Sequence, residues 1–255
     1  MNTLPRPRAP RRLGAAAPAL ALALALAPRP VEAERDLSGR WLLAQVTTTV
    51  ATVPVLGDIE ARTRVVALQD LRHDGRRLRG AGTLCRLDID SGTRFVTTTL
   101  PLAFKLSLPR PVVDAVLEDG GATLRTGRQL VVVGARLERP EDEPLPTSPD
   151  DPRVVDQDRD GRPGVTIRIR GIVRGSIYVA QRSWTRLRGA RRADGGYAGA
   201  VDFGTEQVVL GATSSRLDTP PPARPLPSAS RFELVPVPAE TTCAEALART
   251  EGWFE

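Results

Sequence analysis

Apolar and polar residues alternate along most of the chain from Asp36 onward, and this period of two restricts the fold more than any other feature. A β-strand places successive side chains on opposite faces, whereas an amphipathic helix repeats every 3.6 residues. In the first alternating segment, one set of residues is predicted to face a core: Leu42, Ala44, Val46, Thr48 and Val50. The pattern therefore predicts an all-β fold.

Turn residues divide the alternating segments into about nine or ten predicted strands, at the spacings typical of β-barrels and β-sandwiches. Residues 102–108, between two prolines, are predicted to be a short strand, and a hairpin is predicted around Thr126-Gly127-Arg128. A helix is predicted at Cys243–Arg249, with Thr241 or Thr242 as its N-cap. The predicted fold class is a single antiparallel barrel, or a sandwich, with a short C-terminal helix.

Residues 1–33 are predicted to be a secretory signal peptide. A positive leader precedes an Ala/Leu-rich run at 15–27, and Val31-Glu32-Ala33 then has small residues where a signal peptidase cleaves. The alternative is a membrane anchor, but a span needs about 20 apolar residues and this run is shorter. The chain is expected to be periplasmic or extracellular in a bacterial type of cell. Arg11-Arg12 leaves the general secretory and the twin-arginine route both open.

The net charge of +6 falls largely on this leader. Residues 1–33 hold five Arg and one Glu, and the remainder has 31 basic and 29 acidic residues. Arginine clusters such as Arg76, Arg77 and Arg79 lie beside predicted turns without interleaved aromatic residues, which is typical of solvated hairpin ends. No nucleic-acid partner is predicted.

The two cysteines, Cys85 and Cys243, are far apart in the sequence. In an oxidising compartment an even number of cysteines predicts a disulfide, and two free buried thiols are the alternative. A bridge would tie the C-terminal segment back onto the third strand. The predicted layout is a β-rich domain at 34–217 with an acidic insertion at 138–163, a Pro-rich linker at 218–230, and a C-terminal strand and helix at 231–255.

The segment Asp156-Gln157-Asp158-Arg159-Asp160-Gly161 carries the most specific chemistry. Three carboxylates at alternate positions can direct hard oxygen ligands at one point, and Gly161 supplies the positive φ of the tight turn. The motif resembles the first half of an EF-hand loop, and the calcium loops of dockerin and thrombospondin type 3 repeats, over residues 156–167. The resemblance implies calcium, with Asp156, Asp158, Asp160 and the Arg162 backbone carbonyl as ligands.

The motif departs from the EF-hand at its end. Position twelve is Ile167 instead of a bidentate Glu, and Pro163-Gly164 leads into a predicted strand instead of a helix. The remaining oxygens would come from water or from neighbouring acids: Asp150, Asp151 and Glu141-Asp142-Glu143. A structural clamp on a long loop is therefore favoured over a calcium switch, and a solvated acidic loop with Asx turns is the alternative.

A second motif, Gly39-Arg40-Trp41, resembles the Gly-x-Trp that opens the first strand of lipocalins and related calycin barrels. The resemblance implies an extracytoplasmic up-and-down barrel that binds a small apolar ligand in its mouth. The alternative is that Trp41 closes one end of a β-core without such membership.

Catalysis has little support in the sequence. His73 is the single histidine and lies in a predicted turn, no nucleophile elbow is present, and bridged cysteines leave too few ligands for zinc. An outer-membrane barrel is also disfavoured, because aromatic residues are only 4% and arginine recurs within most strands. The predicted function is non-enzymatic binding of a small ligand, glycan or protein, without embedding in a membrane. The alternative is a secreted hydrolase that uses paired carboxylates.

Overall fold

A computed structural model describes Met1 and residues 36–53, 57–219 and 221–254, which form an antiparallel β fold. The predicted signal peptide lies outside these residues apart from Met1. The twelve strands are β1 Gly39–Val53, β2 Gly57–Asp74, β3 Arg77–Asp90, β4 Val96–Thr99, β5 Val112–Glu118, β6 Thr123–Thr126, β7 Gln129–Val133, β8 Val165–Gly171, β9 Gly175–Arg191, β10 Tyr197–Ala212, β11 Ala223–Pro225 and β12 Arg231–Pro236. The two α-helices are α1 Leu102–Ser107 and α2 Cys243–Arg249. Within the described residues, neither helix has the length and apolar character needed to cross a membrane.

Eight of the strands form a barrel-like ring in the order β1, β2, β3, β5, β6, β9, β10 and β12, with β12 pairing back onto β1. The ring is unevenly closed: β1 and β2 pair through fifteen residue pairs, whereas β6 and β9 pair through three. The predicted all-β antiparallel class with a short C-terminal helix is confirmed.

One edge of the long strand β9 is covered in turn by β6, β7 and β8. The predicted hairpin between β6 and β7 is therefore wrong in its pairing, because both strands hydrogen-bond to β9. The connection from β7 to β8, residues 134–164, contains the predicted acidic insertion. This topology places the acidic motif immediately before β8.

The predicted strand at 102–108 is also wrong, because residues 102–107 form α1. Phe104 is the only residue of α1 that is buried, while Leu102 and Leu106 are 70% and 76% exposed. A six-residue segment between prolines is too short for apolar periodicity to separate a helical turn from a strand.

The interior of the ring is filled by side chains near the start of β1. Trp41 and Leu43 pack there with aromatic and aliphatic side chains from the adjacent strand β12 and from β10, among them Tyr197, Phe232 and Leu234. The indole Nε1 of Trp41, which is 2% exposed, donates a 2.9 Å hydrogen bond to the Leu37 carbonyl. Trp41 therefore helps to close this end of the core.

The alternate face of β1 is buried as well. Leu42, Ala44 and Val46 pack outside the ring, against Ala246 of α2 and Phe254. The predicted core-facing set of β1 is thus buried, but in a second core under the C-terminal helix. Helix α2 has the predicted bounds, and the Thr242 hydroxyl and the Glu245 carboxylate form a reciprocal capping box.

The Pro-rich segment also packs against β1. Strand β11 pairs with β1 from Thr49 to Ala51, and the buried Ser230 hydroxyl accepts a 3.0 Å hydrogen bond from the Thr48 backbone N–H. These contacts carry the chain from β10 back to β12 along the surface of the ring.

Candidate metal centre

The connection at 134–164 contains no strand or helix of its own, apart from one isolated bridge between Ala135 and Val154. It is held to the ring by Arg182 of β9, which donates to the carbonyls of Pro140 and Glu143, and its Leu145 is buried. A long connection without secondary structure needs such anchors to hold one conformation.

Arg153 is the internal anchor of this connection. Its guanidinium donates to both carboxylate oxygens of Asp151 at 3.0 and 2.7 Å, to Glu143 at 2.8 Å and to the Pro144 carbonyl at 2.9 Å. The hydrogen bonds from Arg153 lower the pKa of Asp151 from 3.8 to about 2. Asp151 is therefore ionised over the whole physiological pH range.

We expect Asp151→Asn to lower the melting temperature at pH 7, and we expect this loss to shrink as the pH falls from about 4 towards about 2. The sign follows from the lowered pKa: above 3.8 both the folded and the unfolded carboxyls are charged and the ion pair stabilises fully. Below 3.8 the unfolded carboxyl gains its proton first, so the contribution is lost as the pH approaches the folded value. Calorimetric melting of both proteins from pH 7 to pH 2.5 measures this, and a pH-independent difference would contradict it.

The three aspartates of the motif lie together as the sequence predicts. One carboxylate oxygen each from Asp156, Asp158 and Asp160 lie within 4.8 Å of one another. Asp156 and Asp160 are exposed, whereas Asp158 is 6% exposed. The cluster can hold a metal ion, because three hard oxygen atoms converge on one point.

The local backbone is built around Asp156. One of its oxygens accepts the Asp160 N–H at 3.1 Å and the other accepts the Gly161 N–H at 2.9 Å. Arg159 and Gly161 have φ values of 57° and 79°, so the turn uses two left-handed residues. This reversal brings the second and third carboxylates back towards the first.

Asp158 has one oxygen bound and one free of any donor. Its Oδ2 accepts a 3.0 Å hydrogen bond from the Thr166 N–H, while no described residue donates to its buried Oδ1. Burial raises the pKa of Asp158, and the charges of Asp160 and Asp156 raise it further. A buried acceptor without a partner is costly, and costlier when it carries a charge.

Two residues outside the predicted ligand set hold the motif in place. The Thr166 hydroxyl, at the start of β8, contacts Asp160 Oδ2 at 2.6 Å. Gln157 turns away from the cluster, accepting from the Gly134 N–H at 2.9 Å and donating to the Ser107 carbonyl at 2.9 Å. The x positions of an Asp-x-Asp-x-Asp motif carry no sequence signal for such roles.

The acids proposed to complete the ligand set are placed elsewhere. Asp151 and Glu143 bind Arg153, and Asp150 and Glu141 do not belong to the cluster of converging carboxylates. The Arg162 N–H donates to Asp160 Oδ1 at 3.0 Å, and no described residue donates to the Arg162 carbonyl. Among the predicted ligands, the carboxylates that converge are those of Asp156, Asp158 and Asp160.

A comparison of the chain with family models, curated proteins and solved structures gave no match.

Proposed function

We propose that this protein is an exported, non-enzymatic β-domain in which a calcium ion clamps the connection 134–164, and that it binds a small ligand, glycan or protein on its outer surface. The observation that carries the calcium proposal is the buried Oδ1 of Asp158, which has no donor among the described residues and belongs to a carboxylate that clusters with two others. A bound cation would give this oxygen a partner and would offset the repulsion among the three charges.

Calcium fits this set of donors better than the other common divalent ions. Its six to eight ligands are oxygen atoms in a flexible geometry, whereas magnesium requires a near-ideal octahedron. Zinc and copper favour His and Cys ligands, and the motif contains neither. With Asp156, Asp158, Asp160 and the Arg162 carbonyl as ligands, water would complete the coordination.

Export is supported by two independent features. The sequence of residues 1–33 has the order of a secretory signal. The Cys85–Cys243 disulfide is of the kind that persists in oxidising compartments, and extracellular calcium concentrations suit a weak structural site.

The proposal places partner binding on the outside of the ring. The side chains around Trp41 fill the interior at that end of the ring. A clamped connection of about 30 residues instead presents a fixed surface beside β8. This placement also makes the calcium ion a support for the binding surface and not a participant in chemistry.

We expect the Asp158→Asn variant to melt at a higher temperature than the wild type in chelator, and at a lower temperature than the wild type in calcium. Without metal the variant should melt above the wild type, because Asn removes a buried charge and keeps an acceptor for the Thr166 N–H. With calcium at about 100 times its Kd, the wild type should gain about 2.7 kcal/mol, or roughly 5–10 °C, and the variant should gain nothing. Differential scanning calorimetry of both proteins with EDTA, magnesium or calcium measures the melting temperatures with and without metal.

Asp150→Asn is the matched control, because Asp150 is an exposed acid of the same connection that lies outside the cluster. It should leave the calcium response intact. A calcium response that survives in Asp158→Asn, or its absence from the wild type at millimolar calcium, would refute the calcium site.

A further inference from the structure

A shallow cleft of about 460 Å³ lies at the end of the β8–β9 hairpin. It is lined by Arg168, Arg170 and Arg174, together with Ser176 and Thr213. The proposed calcium centre contacts Thr166 at the start of β8, and none of its three aspartates lines the cleft, so the cleft is a separate feature.

The three arginines are not neutralised locally. None of them forms an ion pair with an acidic side chain in the described part of the chain. Nine arginines and no acidic residue occur between Asp160 and Asp194. All three are exposed, and thirteen other arginines do have such partners.

Strand geometry brings the guanidinium groups together. Arg168 and Arg170 are two residues apart on β8, so both point to the face opposite the core residues Ile167 and Ile169, about 7 Å apart along the strand. Two like charges at this spacing repel each other unless an anion lies between them. Arg174 adds a third charge from the turn that connects β8 to β9.

Hydroxyl groups complete the cleft. Ser176 pairs with Arg168 across the β8–β9 ladder, and its Oγ makes no hydrogen bond to a described residue. Its backbone N–H is held by the Thr213 hydroxyl at 2.8 Å. Gly175 has no side chain to occupy the floor of the cleft. A Cβ at this position would lie 2.4 Å from Thr213 Oγ1 and would clash with it.

We infer that this cleft binds an oxyanion, namely the phosphate or sulfate group of a ligand. Guanidinium groups donate paired hydrogen bonds to such tetrahedral anions, and the Ser176 hydroxyl supplies a neutral donor. The anion would relieve the repulsion between Arg168 and Arg170. This inference is independent of the calcium centre, since it depends on none of its ligands.

The surroundings of the cleft leave two sources for that group. Ile172, at the tip of the hairpin, is 71% exposed, and its N–H donates at 3.0 Å to the carbonyl of Phe95, which is 43% exposed. An apolar tip flanked by Arg170 and Arg174 suits a lipid headgroup at a membrane surface, whereas the cleft alone suits a free phosphate or sulfate.

The test is a titration of the protein with inorganic pyrophosphate and, separately, with vesicles of phosphatidylcholine containing phosphatidylglycerol. We expect the double variant Arg168→Gln/Arg170→Gln to weaken binding at least about tenfold, and Ser176→Ala about threefold without any change of charge. Binding should also weaken as salt is added. Calorimetry follows pyrophosphate, and co-sedimentation follows the vesicles.

The matched control is Arg72→Gln/Arg188→Gln, which removes two exposed arginines that have no ion pair with a described residue and lie outside the cleft, on β2 and near the far end of β9. Cleft-dependent binding of pyrophosphate identifies a free oxyanion ligand, and cleft-dependent binding of vesicles alone identifies a lipid phosphate. The inference is overturned if neither probe binds, or if both double variants weaken binding equally.

Discussion

Removal of the Cys85–Cys243 disulfide is expected to lower the free energy of unfolding by about 2–5 kcal/mol. The bridge joins β3 to α2 across 158 residues of sequence, with the two Cα atoms 5.2 Å apart. Cross-linking so long a loop removes much of the conformational entropy of the unfolded chain, by about 5 kcal/mol in the chain-entropy description. Denaturant unfolding of the wild type and of Cys85→Ser/Cys243→Ser measures the difference.

The bridge also stabilises the second core. Helix α2 has seven residues, which is too short to form in isolation, so its helicity depends on docking against β1 and β2. The register of β2 and β3 shifts beside Cys85: Val66 pairs with Arg86 and Ala67 with Leu84. Cys85 is thus the extra residue of a β-bulge, and the bulge places its side chain towards α2.

Two measurements separate the entropic effect from the docking effect. Hydrogen exchange should show faster exchange in α2 than in the ring when the bridge is absent. Phe254→Ala removes a buried side chain from the second core and keeps the bridge. It should speed hydrogen exchange in α2, with a smaller loss of unfolding free energy than removal of the bridge causes. An unfolding free energy that does not change on reduction would contradict the expected role of the bridge.

Local chemistry made several features predictable from the sequence. The disulfide and the bounds of α2 are confirmed, because two cysteines allow one pairing, and Thr242 followed three residues later by Glu245 is a signature of a helix N-terminus. The convergence of Asp156, Asp158 and Asp160 was also predictable, since their alternate spacing and Gly161 are the local signature of such a turn.

Features that depend on distant partners were not predictable in this way. The segment between β6 and β7 has a turn signal, yet the two strands pair with β9 and not with each other. A 17-residue strand has an edge long enough to pair with several partners. Both faces of β1 are buried because α2, nearly 200 residues later, covers the outer one. The alternation of apolar and polar residues indicates that a strand has two different faces, but it does not indicate which element packs on each face.

The same limit applies to the candidate sites. Asp158 is buried whereas Asp156 and Asp160 are exposed, which the spacing of the motif does not reveal. Arg168 and Arg170 alternate with Ile167 and Ile169 as on any solvated strand face. Their grouping with Arg174 and Ser176 emerges from the turn that joins β8 to β9.

The second large effect is expected for Trp41→Ala, which should lower the free energy of unfolding by about 3–5 kcal/mol. Trp41 is among the largest fully buried side chains, and its indole ring lies 6.4 Å from the ring of Tyr197, centroid to centroid. Truncation would leave a cavity where the first strand meets the opposite side of the ring. It would also deprive the Leu37 carbonyl of its hydrogen-bond donor.

Two variants test whether this loss of stability comes from packing of the buried indole ring in the core. Trp41→Phe keeps most of the ring volume and removes the donor, so it should cost about 1–2 kcal/mol. Trp184→Ala removes the same atoms from a half-buried site on β9, where the ring contacts the guanidinium of Arg128 at 4.4 Å, and should cost about 1 kcal/mol. If Trp41→Ala cost no more than Trp184→Ala, the interior near Trp41 would not be the packed core described above. Such a result would instead favour an adaptable interior. It would also favour a binding surface at the mouth of the ring over one on its outside.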